Sequence, residues 1–370
     1  MVAAPALLCL WLAVAACVVA STASPAPGGF VLKPPDSSGD RLAAVAPLSH
    51  GWSDPEWIRA KQDTAAQLKD IPTSFSRFQK RYGRLYGTEE KSTKQAAFKS
   101  TLEYIDQQNA KSTNSFVLGV NNFSDLSFEE FAAKYLQATK PLPPSRMGKG
   151  KGGNRKLQQS ALPSCSVHWG MANSNPSGRN IIGPVQAQGS CAACWAYVAA
   201  AQVESLAAMS SLDTSTTLDL SEQMLVDCSY SQKDGCTGGW PTAAWDYMKA
   251  NQGVASESVR PFTSSATGTA DACPRNIPKA LGSGIMQGYK LWTPANDAGL
   301  VAALQTQPAA VAVRVDAAFQ SYKGGALQCT AGTEVNHAVQ AIGCGFVPRT
   351  DDSNMYDPVY IIKNQWGEGW

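Results

Sequence analysis

Apolar residues run almost without interruption from Ala3 to Ala20, then give way to small residues through Ala23 and to Ser24-Pro25. Residues 24–70 begin as a Pro/Gly/Ser-rich leader, and Asp54 to Leu68 can continue from it as a helix. Phe75, Phe78 and Tyr82 recur at i, i+3 and i+7, one face of a helix. A longer helix is predicted from about Thr88 to Asn109, with Phe98, Leu102 and Ile105 on its buried stripe. Leu126, Phe128 and Phe131 supply an apolar anchor beyond it. From Thr139 to Leu162 all periodicity is lost. Pro141, Pro143 and Pro144 precede a basic, Gly-rich run of Arg146, Lys149, Lys151, Arg155 and Lys156. Gln188 to Tyr197 then opens an alanine-rich segment in which Trp195, Val198, Gln202 or Val203, and Leu206 recur at helical spacing, placing Cys194 in the first turn of a buried helix. Val301–Val315 and Ala338–Gly345 are strand-like in composition.

Composition narrows this picture. With 44% hydrophobic and 16% charged residues, most of the 370-residue chain can build a core. A net charge of +2 gives no electrostatic case for nucleic acid. The basic run reads as an exposed linker, suited to being cut. The apolar start reads as a secretory signal cleaved near Ala20 to Ala23, although it lacks a basic flank. At about 18 apolar residues it is borderline for a membrane span, and no stable membrane anchor is expected.

Cysteine carries the candidate chemistry. Of ten cysteines, Cys9 and Cys17 leave with the signal and eight enter an oxidising environment. Cys191 and Cys194 form a C-x-x-C, which by itself also suits a redox pair or half a zinc site. At a helix N-terminus, however, a thiol gains from the dipole and the unsatisfied N–H groups, which favour thiolate.

The decapeptide Gln188 to Tyr197 resembles the active-site helix of papain-type cysteine peptidases, departing once with Ala192 where that family has Gly. Upstream, Glu90, Lys94, Phe98, Thr101, Ile105 and Asn109 fall at the spacing of the interspersed propeptide motif of the same family, with Lys94 and Thr101 as departures. Gly119, Asn121, Phe123 and Asp125 match its second propeptide motif in full. Leu220 to Cys228 and Gly235 to Pro241 resemble its second cysteine block. The resemblance implies disulfides Cys191–Cys236 and Cys228–Cys273, which leave Cys194 free.

It further implies an α+β, papain-like, two-lobed fold: a helical lobe carrying Cys194 and a β-rich lobe carrying His337 and Asn364, preceded by a helical inhibitory propeptide. His337 lies 143 residues after Cys194, within the family's window. His50 reads as a loop histidine and His168 as incidental. By resemblance Cys194 is the nucleophile, paired as thiolate with an imidazolium at His337. Asn364 orients that ring, Trp366 shields it, and Gln188 joins the Cys194 N–H as an oxyanion hole. Gln365, where the family most often has Ser, is expected not to matter. Gly238 and Gly239 are expected to pair with an extended substrate backbone. Trp240, Pro241, Ala312 and Ala338, with Asn336 and Trp366 nearby, are expected to line the substrate site. No histidine lies between His168 and His337, so the paired histidines of an exopeptidase loop are absent and an endopeptidase is implied.

The expected organisation is a signal at 1–23, an extension at 24–72, an inhibitory propeptide at 73–135, a linker with the maturation cut at 136–161, and the peptidase from 162 to 370. The product is a monomeric enzyme of the secretory pathway, lysosomal, vacuolar or extracellular. It acts on polypeptides, is held by its own propeptide and needs no cofactor or metal. The alternative is an inactive homologue that binds or inhibits a partner. The chain stops at Gly369-Trp370, inside the family's Trp-Gly-x-x-Trp-Gly stretch, so further strands and a partner for Cys329 are expected beyond it. The pairing of Cys165 and Cys344 stays open.

Overall fold

The computed structural model describes residues 14–19, 55–111, 114, 116–136, 165–210, 218–230, 234–280, 286–292, 297–327, 335–348 and 356–370. The leader at 24–54, the linker at 137–164 and Cys329 lie outside them, and with them the expected maturation cut.

The first unit is helical. Helices α1 (Pro55–Leu68), α2 (Ile71–Tyr82) and α3 (Thr88–Asn109) are followed by a short strand and by α4 (Phe128–Tyr135). Asp70 caps α2 by accepting from the Thr73 N–H, and Gly83 ends it at φ 63, a left-handed conformation that favours glycine. Helix α3 spans the predicted range. Phe98, Leu102 and Ile105 are fully buried on it, each contributing ~1.5–3 kcal/mol of apolar burial. Phe75 and Phe78 pack across onto Phe98, with ring centroids 5.5 and 5.0 Å away. Ser127 and Glu130 form a reciprocal capping box that starts α4.

Three polar contacts weld this unit together. Asn109 donates to the Leu118 carbonyl and accepts from the Leu118 N–H, both at 2.9 Å. Asp125 is held by the Tyr86 hydroxyl and by Arg84, whose Nε lies 3.5 Å away. Buried Lys94 meets Glu130.

The second unit has two lobes. One is built on α5 (Cys194–Ser210), α6 (Glu222–Cys228), α7 (Pro241–Ala250) and the short α8 (Ser264–Thr267). Helix α5 is buried along both its apolar and alanine faces, so its neighbours pack close against its backbone. The other lobe is a mixed arrangement of α9 (Asp297–Leu304), α10 (Ala317–Gln320) and a sheet. In chain order the strands are β1 (Val14–Val19), β2 (Phe116–Leu118), β3 (Val167–His168), β4 (Met286–Trp292), β5 (Ala309–Val313), β6 (Tyr322–Gly325), β7 (His337–Pro348) and β8 (Tyr356–Lys363). The main sheet runs β3-β7-β5-β1-β4, with β8 on the other edge of β7, all pairs antiparallel.

Two sequence expectations are revised here. The Val301–Val315 region is not strand throughout. Leu300, Val301 and Leu304 recur at helical spacing and close α9, and the chain turns at Pro308 before β5 begins at Ala309. The apolar N-terminal segment also contributes β1, which pairs with β4 and, through Val14 and Ala15, with β5.

The helical unit docks on the β lobe by backbone pairing. Strand β2 pairs antiparallel with β6, Phe116 opposite Gly325 and Leu118 opposite Tyr322. Gly119 N–H continues the ladder to the Ser321 carbonyl at 2.8 Å, and Asn121 donates to the Gln320 carbonyl at 2.6 Å. Gln320 answers by donating to the Phe123 and Leu126 carbonyls. Phe123, Phe131 and Trp366 then share one apolar cluster that spans the two units.

Candidate active site

The site forms where the first turn of α5 meets the start of β7. Cys194 opens α5, is fully buried, and is the free cysteine among the described residues. Its neighbour Cys191 is bonded to Cys236, and Cys228 to Cys273, the two pairs expected from the resemblance. A third disulfide joins Cys165 to Cys344, across 179 residues. With Cys191 bonded, the C-x-x-C is no dithiol pair.

His337 is the first residue of β7. Its neighbour Ala338 turns its N–H to the Cys194 sulfur. His337 Nε2 lies 2.8 Å from Asn364 Oδ1, while Nδ1 has no hydrogen-bond partner among the described residues. Asn364 Oδ1 also accepts from the Gln365 N–H at 2.9 Å. The Trp366 ring lies over the pair, 4.7 Å from the imidazole centroid, and is itself covered by Phe123 and Phe131.

Gln188 is completely buried, on the loop that leads into α5. Next to it, Gly189 has φ 58, and a Cβ there would stand 2.5 Å from the Ser265 main chain, so no larger residue fits. The Gln188 amide nitrogen donates to the Cys191 carbonyl and to the Tyr135 carbonyl, each at 2.9 Å. Tyr135 is the last residue of α4, in the helical unit. The donor expected to face a reacting carbonyl therefore already holds one.

Burial sets the charge state. It pushes the Cys194 thiol up to about 12, against the pull of the N–H groups of Ala338, Trp195 and Cys194 itself. It also pushes the His337 imidazole down to about 4, opposed by the bond to Asn364. In this covered form burial works against the charged form of each group.

The expected substrate residues are distributed unevenly. Gly238 has φ 101, and a Cβ on Gly239 would lie 2.8 Å from the Trp195 ring, so the chain there lies flat on that indole. Trp240 and Pro241 are buried at the start of α7. Ala312 and Ala338 are direct cross-strand partners on β5 and β7. Asn336 is tied to the neighbouring main chain. Its side chain accepts from the Val315 N–H at 2.7 Å and donates to the Val315 carbonyl at 3.1 Å, so it clamps the chain ahead of His337.

Behind the site lies a group the sequence reading missed. Glu222 is completely buried and Glu204 half-buried, beside Glu257, Asp219 and Lys363. Glu222 Oε1 accepts from the Gln186 amide at 3.1 Å. Burial, then the neighbouring carboxylates Glu204 and Glu257, hold Glu222 well above the usual carboxylate range. Burial pushes Glu204 up to about 7, against the Leu220 N–H and Lys363. Among the described residues no cluster of His, Cys, Asp and Glu is arranged to hold a metal ion, and no helix is long and apolar enough to cross a membrane.

Comparison with known proteins agrees with this geometry. Residues 171–370 match the papain family cysteine protease, and residues 75–131 match the cathepsin propeptide inhibitor domain. Ananain of Ananas comosus is 30% identical over 86% of this chain and 84% of its own length. Caricain of Carica papaya is 32% identical over 87% and 85%. The structure of a recombinant stem bromelain precursor superimposes with a TM-score of 0.63 at 30% identity, covering 81% of this chain and 89% of that one.

Proposed function

The chain belongs to the papain family of cysteine proteases and carries a cathepsin-type propeptide inhibitor domain ahead of its peptidase domain, and from that premise we propose that Cys194 is its nucleophile and His337 its general base and acid. It is a protease made as a zymogen, with polypeptides as substrates and its own propeptide as intramolecular inhibitor. The observation that carries the assignment is the 2.9 Å contact between the Gln188 amide and the Tyr135 carbonyl. A propeptide carbonyl sits on the donor that a scissile carbonyl would use, so the cleft is filled by backbone it does not cut.

When the propeptide leaves, water reaches both members of the dyad. The burial penalty on each charged form falls, while their mutual attraction and the dipole of α5 remain. The proton then passes from Cys194 to the open Nδ1 of His337, with Nε2 anchored on Asn364. The thiolate attacks a peptide carbonyl. Gln188 and the Cys194 N–H hold the oxyanion, and His337 returns the proton to the leaving amine. Water releases the acyl-enzyme by the reverse order of proton transfers.

Gly238 and Gly239 offer backbone to an extended substrate. Trp240, Pro241, Ala312 and Ala338 form an apolar pocket for the second residue on the acyl side, and internal bonds are cut. Asn336 positions His337 in this reading and does not touch substrate. The protein is a monomer of the secretory pathway, cut between its propeptide and Cys165 on maturation. The test is a thiol-directed irreversible peptide inhibitor applied to the full chain before and after acid processing. Labelling of Cys194 only after processing, with matching loss of peptide hydrolysis, is expected. Full hydrolysis by enzyme alkylated at Cys194 overturns the assignment.

A further inference from the structure

Gln365 occupies the centre of the site although it touches no reacting atom. It is buried, at 4% exposure, between Asn364 and Trp366. Its main-chain carbonyl accepts from the Gln188 N–H at 2.9 Å. Its side-chain nitrogen donates to the Ala338 carbonyl at 2.9 Å and to Gln188 Oε1 at 3.2 Å, and lies 3.3 Å from His337 Nε2. One amide therefore meets the general base, the oxyanion donor, and the residue whose N–H faces the Cys194 sulfur.

The direction of these bonds is determined by chemistry. A main-chain carbonyl can only accept, so Ala338 forces the nitrogen end of Gln365 towards it. That nitrogen has two hydrogens. One goes to Ala338, and the other is left for Gln188, which must then present its oxygen. The nitrogen end of Gln188 is thereby turned to the cleft, where it now holds Tyr135, and the Cys191 carbonyl on that side accepts from it as well, so the two contacts act in the same sense. Inverting Gln188 would set two N–H groups against each other. The positive end of the Gln365 amide, with both hydrogens committed, also stands beside His337 Nε2, whose own hydrogen goes to Asn364. It opposes added positive charge on the ring.

We propose that Gln365 is a positioning residue: it fixes which end of the Gln188 amide faces the oxyanion and restrains the basicity of His337. This rests on the assignment of Gln188 and His337 above, and concerns how those two residues are set. Its partners lie 177 positions upstream and 28 positions upstream, so it joins the two lobes across the cleft.

The experiment uses acid-processed full chain carrying Gln365→Met, Gln188→Ala, or both, with Gln365→Glu as a second shape-preserving variant. Stoichiometric alkylation of Cys194 certifies a folded site in each. Gln365→Met is expected to lower kcat about tenfold with KM within about twofold. It should also move the alkaline limb of the pH profile of kcat/KM to higher pH, which a merely structural role does not. In the Gln188→Ala background the same change should lower kcat by less than about twofold, because its effect passes through Gln188. Gln365→Glu presents a carboxylate to Ala338 and Gln188, and should lose rate as its carboxyl gives up its proton. Unchanged kcat in Gln365→Met with a deficient Gln188→Ala overturns this inference alone, as does full additivity of the two. Unchanged kcat in Gln188→Ala overturns the oxyanion assignment and this inference with it.

Discussion

Lys94 reaches both carboxylate oxygens of Glu130, at 3.0 and 3.1 Å, and so ties the longest propeptide helix to the short one that enters the cleft. Burial raises the Glu130 carboxyl, but hydrogen bonds from Lys94 and Ser127, with the charges of Lys94 and Lys134, outweigh it and leave its pKa below the ordinary 4.5. The unfolded segment thus takes up the proton first. The stabilisation is complete above about pH 4.5 and is lost as pH falls through the folded value. Alkylation of Cys194 in the full chain should accelerate over that window. Glu130→Gln should weaken docking by about 1 kcal/mol and move the onset to higher pH. An onset that stays in place assigns acid release to other groups.

Cys194→Ser should lower peptide hydrolysis at least about 10³-fold while leaving the thermal midpoint within about 1 °C, because the hydroxyl fills the same space without thiolate chemistry. In the unprocessed wild-type chain the thiol, held near 12 by burial, should react with a small alkylating agent far more slowly at pH 7 than in the processed enzyme. Equal rates in the two forms would show that the propeptide does not control the charge of the dyad.

Among the described residues Glu222 has no cation within hydrogen-bond reach, and Gln186 stands where one would reach it. Glu204 and Glu222 both have raised folded values, so the folded state binds their protons more tightly. Stability is therefore greatest in acid and falls as pH rises, over about 4.5 to about 7 for Glu204. Gln186→Lys should add about 1–2 kcal/mol at pH 7 and less at pH 4.5. Thermal unfolding at the two pH values checks this; an equal gain at both refutes the electrostatic account.

The Cys165–Cys344 bond fastens the chain just ahead of β3 to the middle of β7. Replacing both cysteines by alanine should destabilise the processed enzyme by about 3–5 kcal/mol. Its new N-terminus should become sensitive to an added aminopeptidase, while a protected N-terminus in that variant would show that packing of Val167 and Trp169 holds it alone.

Much of this was legible in the chain because the signal was local. Helix α3 follows from Phe98, Leu102 and Ile105, and the place of Cys194 follows from the apolar spacing behind it. The spatial approach of Cys194 and His337 was inferred only through resemblance to a known family. Three features escaped for physical reasons. Gln365 acts through partners on other elements, and no periodicity marks such a residue. The carboxylates at 204, at 219 and 222, and at 257 sit on three stretches and become a cluster only in the fold. The Val301–Val315 region mixes a helix end with a strand, and valine and alanine suit both once buried.

The ladder between β2 and β6 also sets the scale on which inhibition works. While the chain is whole, the two strands meet within one molecule, at an effective concentration on the order of millimolar whatever the dilution of the protein. A single cut in the intervening chain leaves every hydrogen bond of that ladder available but makes the encounter bimolecular. From then on, the degree of inhibition depends on the volume into which the enzyme is released. Crowded in a small compartment, cleaved enzyme and cleaved propeptide remain paired; diluted, they part. The cut acts as a change of reaction order, and the bonds between the strands need not weaken for the protease to become active.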